Sequence, residues 1–214
     1  MSGRIRRLLR TVPKGRIDLG ELPGPAAASC SALSPARWLA KRMLAERLRG
    51  VDPAHCWVLG PGRLVDATTM PLDCATYPLS EADGLIGSAA LSWIVVGDAL
   101  AAQSDPPAVL GRLAELYAGG KPLRFLGLLP GTATLPDNVP PSPRRWLFSR
   151  ASAARMAAEA FGGIAADVHT AGNALVASSE GLGLAAQDLW TDELEFVDPQ
   201  YPVVVTLTTR PASA

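Results

Sequence analysis

The chain has 214 residues, a formal net charge of zero and 48% hydrophobic residues. This composition excludes a disordered chain and a bulk nucleic-acid binder, and the length suits one α/β domain with a sizeable core. The odd number of cysteines (Cys30, Cys56 and Cys74) and the lack of C-x-x-C spacing argue against a disulfide framework and against a metal site. We therefore expect thiols in a reducing cytosol.

Residues 1–33 are predicted to be a basic arm and linker ahead of an α/β domain at 34–214. Six basic side chains precede the first acid, and Ile5, Leu8 and Leu9 could form an apolar stripe beside them. Two interpretations stay open: a solvated or partner-packed terminal helix, or contact through residues 1–20 with an anionic membrane surface or an acidic partner. The arm is followed by polar residues and Pro13 rather than an apolar core, so we expect a cytoplasmic protein without a secretory signal.

The first half of the domain alternates between helical and strand patterns. A helix is predicted to begin at Ser34-Pro35, with Ser34 as the N-cap and Pro35 at the first helical position. The apolar stripe that follows comprises Trp38, Leu39, Met43, Leu44 and Leu48. A short first strand is predicted at Cys56–Leu59, followed by the turn Gly60-Pro61-Gly62. Further strands are expected at 64–66 and 83–87, the latter leading into 88–102.

Residues 106–131 predict a helix, a glycine turn and a buried strand. Apolar residues at i, i+3 and i+4 spacing indicate the helix, and Gly119-Gly120 ends it. The strand at 123–129 is apolar on both faces, which is typical of a parallel sheet covered by helices on both sides.

The second half continues the alternation. A proline-rich loop or lid is expected at 130–145, a helix capped by Ser149 at 150–160 and a strand at 164–169. Residues 174–189 are predicted to be helical with breaks at Gly181 and Gly183, and Val203–Thr209 is the final strand. The order predicts a doubly wound sheet, in which ligands bind beyond the carboxyl ends of the strands.

Several side chains are candidates for chemistry. Gly60 and Gly62 would let the backbone approach a nucleotide-like ligand, Asp66 could accept hydrogen bonds from ribose hydroxyls, and Ser88 would lie near the same crevice. The alternative is that the glycines form an ordinary tight turn. His169, near Asn173, is a candidate base or substrate contact, with a structural histidine as the alternative.

Arg145 and Trp146 could clamp a planar or phosphorylated ligand, or could pack as a tryptophan beside ion-paired arginines.

The second half of the chain carries a family resemblance. The runs Arg145-Trp146-Leu147-Phe148-Ser149, Gly172-Asn173-Ala174-Leu175 and Asp198-Pro199-Gln200-Tyr201-Pro202 belong to an ensemble spanning roughly residues 82–210. This ensemble resembles class I S-adenosylmethionine-dependent methyltransferases, and it is most similar to a bacterial subgroup found beside glycosyltransferases.

The resemblance implies a Rossmann-like three-layer sandwich of seven strands with the last strand antiparallel. It implies S-adenosylmethionine over Gly60 and Gly62, with Asp66 at the ribose and Asp73 in the adenine region. The chain departs from the family pattern, because the first strand lacks the usual acid and too few residues follow the turn for the usual helix. The cofactor half is eroded and the scaffold half is intact.

Three functions remain open at this point. The first is methyl transfer to a small molecule or glycan precursor, achieved mostly by positioning. The second is a catalytically degenerate fold that serves as a binding or scaffold subunit, and the third is cofactor-independent biosynthetic chemistry. The sequence predicts no resident metal, and an oligomer is compatible with each function.

Overall fold

The computed structural model describes residues 33–82, 91–117, 124–134, 146–162 and 166–209. The helices of these ranges are α1 (Pro35–Arg47), α2 (Pro106–Tyr117), α3 (Arg150–Ala160), α4 (Ala174–Gly181) and α5 (Thr191–Glu195). The strands are β1 (Cys56–Leu59), β2 (Ala75–Tyr77), β3 (Trp93–Val96), β4 (Arg124–Pro130), β5 (Ala166–Ala171) and β6 (Val204–Thr209). In these ranges no helix has both the length and the apolarity to cross a bilayer.

The strands form one mixed sheet in the order β2-β1-β3-β4-β6-β5. Strands β2, β1, β3 and β4 pair in parallel, whereas β6 is antiparallel to both β4 and β5. The predicted Rossmann-like α/β fold with an antiparallel last strand is therefore confirmed. The described part of the sheet has six strands rather than seven, and a loop without a helix joins β1 to β2.

Two hydrophobic layers cover the sheet. On one face, α1 and α4 pack with the loop after β1, and Leu39, Leu44 and Val176 are fully or almost fully buried there. On the other face, α2 and α3 pack over side chains such as Ile94, Phe125 and Val205. Burial on both faces explains why β3 and β4 are continuous apolar runs.

Several predicted elements are confirmed at their expected positions. Strand β1 has the predicted bounds, and α1 begins at Pro35 after Ser34. Helix α3 begins with a capping box in which the Ser149 side chain accepts from the backbone N–H of Ser152, while the Ser152 hydroxyl accepts from the backbone N–H of Ser149. Strand β6 lies in the same sheet as β4, as predicted.

The predicted strand at 64–66 is wrong. Residues 63–66 form bends, and Gly62 N–H donates to the carbonyl of Val65 at 2.9 Å, which closes a tight loop. The Asp66 carboxylate then accepts from the backbone N–H of Thr68 and Thr69. These local hydrogen bonds compete with strand pairing, as is usual for aspartate in turns.

Two strands were not predicted from the sequence. Trp93–Val96 is β3, inside the segment 88–102, and Ala75–Tyr77 is the short edge strand β2. The predictions at 1–32, 83–87 and 135–145, and the predicted helix end at Gly119-Gly120, lie outside the described residues.

Candidate functional site

The candidate site is the crevice beyond the carboxyl ends of β1 and β3. The chain passes from β1 outward to β2 and then returns to β3 on the other side of β1, so the strand order reverses between β1 and β3. Ligands of open α/β sheets bind at this switch point. The predicted cofactor turn Gly60-Pro61-Gly62 lies at the end of β1, as expected.

The turn after β1 is packed against its own protein. Gly60 has a φ of +58°, and a β-carbon there would lie 3.2 Å from the Cβ atoms of both Leu79 and Ala99. The Gly60 N–H donates to the carbonyl of Tyr77 at 2.9 Å. Glycine is needed for this backbone conformation and close packing, without any ligand.

Asp98 reaches across the crevice from the end of β3. It is 7% exposed, and its Oδ2 accepts from the backbone N–H of Arg63 at 2.9 Å while its Oδ1 accepts from Leu64 at 2.8 Å. The backbone of Gly97 also lies close to the turn after β1, since a β-carbon at Gly97 would be 2.4 Å from the carbonyl oxygen of Gly60. The loops after β1 and β3 thus close on each other.

Asp66, the predicted ribose contact, is engaged within the protein. Its carboxylate pairs with the Arg37 guanidinium of α1 and accepts from the backbone N–H of Thr68 at 2.8 Å. Burial raises the pKa of Asp66, but the hydrogen bonds from Thr68 and the charge of Arg37 outweigh it, so the pKa lies below its usual value. Lys41 adds a second tie from α1 by donating to the Thr68 carbonyl at 3.1 Å.

A buried carboxylate ties the same loop to α4. Glu180 pairs with the Arg63 guanidinium, and its Oε2 accepts from the backbone N–H of Ala36 at 3.0 Å. The Glu180 side chain is 3% exposed. Because Ala36 is in the first turn of α1, the carboxylate also meets the positive end of that helix. Glu180 therefore joins α1, α4 and the loop after β1.

The other predicted cofactor and catalytic residues are dispersed. Asp73 is exposed just before β2, and Ser88 lies outside the described residues. His169 is exposed on β5, the edge strand, where its register partner is Thr206. Strand β5 is four strand positions from β1, about 19 Å at the usual spacing. The role of His169 as a base stays a prediction.

The predicted substrate residues lie in different parts of the fold. Arg145 is outside the described residues. Trp146 is 45% exposed, and its backbone N–H donates to the carbonyl of Ala101 at 2.8 Å. Asn173 is buried and caps α4: its Oδ1 accepts from Val176 at 3.0 Å. Its Nδ2 donates to the carbonyls of Glu193 and Phe196 at 2.7 and 2.8 Å. The carboxamide therefore fixes the start of α4 to α5.

Three residues that define the crevice were not predicted: Asp98, Arg63 and Glu180. Asp98 had a usable signal, because an acid directly follows the apolar run Trp93–Gly97. The Arg63–Glu180 pair had none, since its partners are 117 positions apart in the sequence.

No protein-family model and no curated protein matches this chain. Similar solved structures include a protein of Thermobifida fusca named as a methyltransferase, which is 13% identical over 88% of this chain and 87% of that chain, with a TM-score of 0.44. A methyltransferase of Thermotoga maritima that depends on S-adenosylmethionine is 10% identical, with coverages of 82% and 90% and a TM-score of 0.47. Another from Aquifex aeolicus is 10% identical, with coverages of 92% and 98% and a TM-score of 0.40. This likeness assigns neither an activity nor a ligand.

Proposed function

We propose that this chain is a methyltransferase-like domain that works as a binding subunit, with its cofactor crevice closed by its own Asp98. The observation that carries the proposal is the pair of hydrogen bonds from Arg63 and Leu64 to the Asp98 carboxylate. Backbone N–H groups at such a turn are suited to an anionic or hydroxyl-bearing ligand. Here a side chain of the same chain takes that place.

The remaining donors of the turn support the same conclusion. Gly60 N–H donates to Tyr77 and Gly62 N–H donates to Val65, while Pro61 has no N–H. All N–H groups from 60 to 64 are thus engaged within the protein. None of these N–H groups is left for the carboxylate or the ribose hydroxyls of S-adenosylmethionine, so the residues of this crevice do not fit that cofactor.

The experiment is a calorimetric titration of the full chain with S-adenosylmethionine and S-adenosylhomocysteine, paired with thermal unfolding. We expect no binding heat and no shift of Tm at millimolar ligand. An Asp98→Ala variant is titrated in parallel, since binding gained only by that variant would identify the carboxylate as the barrier.

Saturable micromolar binding by the unmodified chain would overturn the proposal. Weakening of that binding by Asp66→Ala would then favour the methyltransferase hypothesis, with a small molecule or glycan precursor as the methyl acceptor. The Asp66→Ala variant needs a thermal-unfolding control, because Asp66 also holds Arg37 of α1.

Residues 1–20 are our proposed docking segment for an acidic partner. The proposal is based on the sequence, in which Arg4, Arg6, Arg7 and Arg10 alternate with apolar residues before the first acid at Asp18. Capture experiments with the full chain and with a chain lacking residues 1–20 test it, with anionic vesicles as a second arm. Equal capture by both chains would remove residues 1–20 as a docking segment.

A further inference from the structure

A second concave site lies where α4 begins beside α5. It is a cleft of about 390 Å³ at the carboxyl end of β5, within the usual size range of small-molecule sites. Asn173 fixes its wall by holding the carbonyls of Glu193 and Phe196. The cleft lies on the same carboxyl edge of the sheet as Gly60, because β5 runs parallel to β1, but it is four strand positions away, so its ligand does not depend on whether the crevice is closed.

The cleft contains an incompletely paired carboxylate. Glu193 is 6% exposed and lines the cleft, and its Oε2 accepts from the backbone N–H of Trp190 at 2.8 Å. Its Oε1 is shielded from solvent and has no hydrogen-bond partner within the described part of the chain. A buried carboxylate oxygen without a partner is costly, so it calls for a positively charged or donating group nearby.

From these features we propose that the cleft binds a small organic cation, an ammonium or guanidinium group carried on an apolar body. Asp192 and Asp198 line the cleft beside Glu193, which makes three carboxylates. The start of α4 contributes only about half a positive charge at its N-terminus. The carboxylates therefore outweigh the helix end, and the cleft favours a cation over an anion.

The same geometry separates an organic cation from a metal ion. Within the described residues no three acidic, cysteine or histidine side chains are close enough to hold a metal. Leu175 and Phe196 supply apolar wall instead, and Phe196 is 63% exposed. An aromatic face next to carboxylates suits a cationic group through both charge and cation–π attraction.

The test is an NMR titration of the ¹⁵N-labelled full chain with phenethylamine, using 2-phenylethanol and phenylacetate as neutral and anionic analogues and Mg²⁺ as the metal arm. We expect saturable shifts at Leu175 and Phe196 with the amine alone. No saturable shift with the amine, or equal binding of the alcohol, would overturn the proposal. So would binding of Mg²⁺ with the same set of shifts.

Two variants test the charge. Glu193→Gln keeps an oxygen that can accept from Trp190 while removing the charge, and we expect amine binding to weaken about tenfold or more. Asp192→Asn changes an exposed acid, so it keeps the test available if Glu193→Gln fails to fold. Glu195→Gln is the matched control, because Glu195 is on α5 but pairs with Arg42 outside the cleft lining. Weakening by Glu195→Gln equal to that by Glu193→Gln would contradict the assignment.

Discussion

The Asp98 carboxylate lies directly against the backbone of Gly62: a β-carbon at Gly62 would be 2.5 Å from Asp98 Oδ1. The second glycine of the turn is therefore explained by a side chain of this chain, not by a cofactor. A G-x-G pattern predicts a close backbone approach, and here the approaching group is the protein's own carboxylate.

Gly62→Ala should destabilise the protein by about 1–3 kcal/mol, because the added methyl group overlaps the buried Asp98 carboxylate. Urea unfolding followed by circular dichroism measures the free energy of unfolding. Unchanged stability would show that Asp98 does not hold this position in solution.

Gly111→Ala is the matched control for that substitution. Gly111 lies inside α2, and a β-carbon there has no neighbour within 4 Å. Alanine is favoured over glycine in a helix, so this variant should be more stable by about 0.5–1 kcal/mol. The two glycines should thus respond in opposite directions to the same added methyl group.

The sequence predicted the elements whose signals are local. Strand β1, the Ser34–Pro35 start of α1 and the Ser149 cap of α3 each depend on residues within a few positions, and each is confirmed. Strand β3 was missed although Trp93–Val96 is β-branched and aromatic, because the third strand was placed earlier, at 83–87.

The candidate site was less predictable, because its closure depends on distant pairs. Asp98 contacts Leu64 across 34 positions and Glu180 contacts Ala36 across 144. Asp66 was predicted to face a ligand, yet its local Asx turn and Arg37 occupy the carboxylate. A single sequence carries no signal for which partner a carboxylate meets after folding.

Glu180→Ala should cost about 1–3 kcal/mol, because it removes the carboxylate that pairs with Arg63 and that accepts from the Ala36 N–H. Arg63→Met should cost more, since it leaves the Glu180 carboxylate, which is only 3% exposed, without the guanidinium. A double-mutant cycle in urea measures the coupling, which we expect at about 0.5–3 kcal/mol.

The control for this cycle is Glu159→Ala on α3. Glu159 faces Arg155 at 3.9 Å, and both side chains are largely exposed. Exposed pairs of this kind contribute about 0–1 kcal/mol, so this loss should be small. If the losses of unfolding free energy from Glu180→Ala and Arg63→Met simply add, the two side chains do not stabilise the fold through their interaction with each other.

Asp66 should contribute to the loss of folding stability at low pH. Its pKa is lower in the folded chain than the unfolded value near 3.8, so the folded state binds fewer protons in that range. The stabilisation is present above the unfolded pKa and is lost as pH falls through the folded pKa. Urea midpoints measured from pH 6 down to about pH 2 should fall less steeply for Asp66→Asn than for the unmodified chain. Parallel curves for the two proteins would contradict this assignment.

Cys56 should be the least reactive thiol of the described residues. It is fully buried on β1, and burial, followed by a hydrogen bond with Cys74, raises its pKa far above the usual range. Burial also raises the pKa of the half-exposed Cys74 thiol. In a Cys30→Ser background, we expect a thiol reagent at neutral pH to label Cys74 slowly and Cys56 only after unfolding. Because the unfolded Cys56 thiol ionises near pH 8.5 and the folded one does not, stability should decline as pH rises above about 8.5. A Cys56→Ala variant should lose that decline of stability with pH. In the labelling experiment, modification of native Cys56 at the rate of Cys74 would contradict the prediction, because it would show that the start of β1 is accessible.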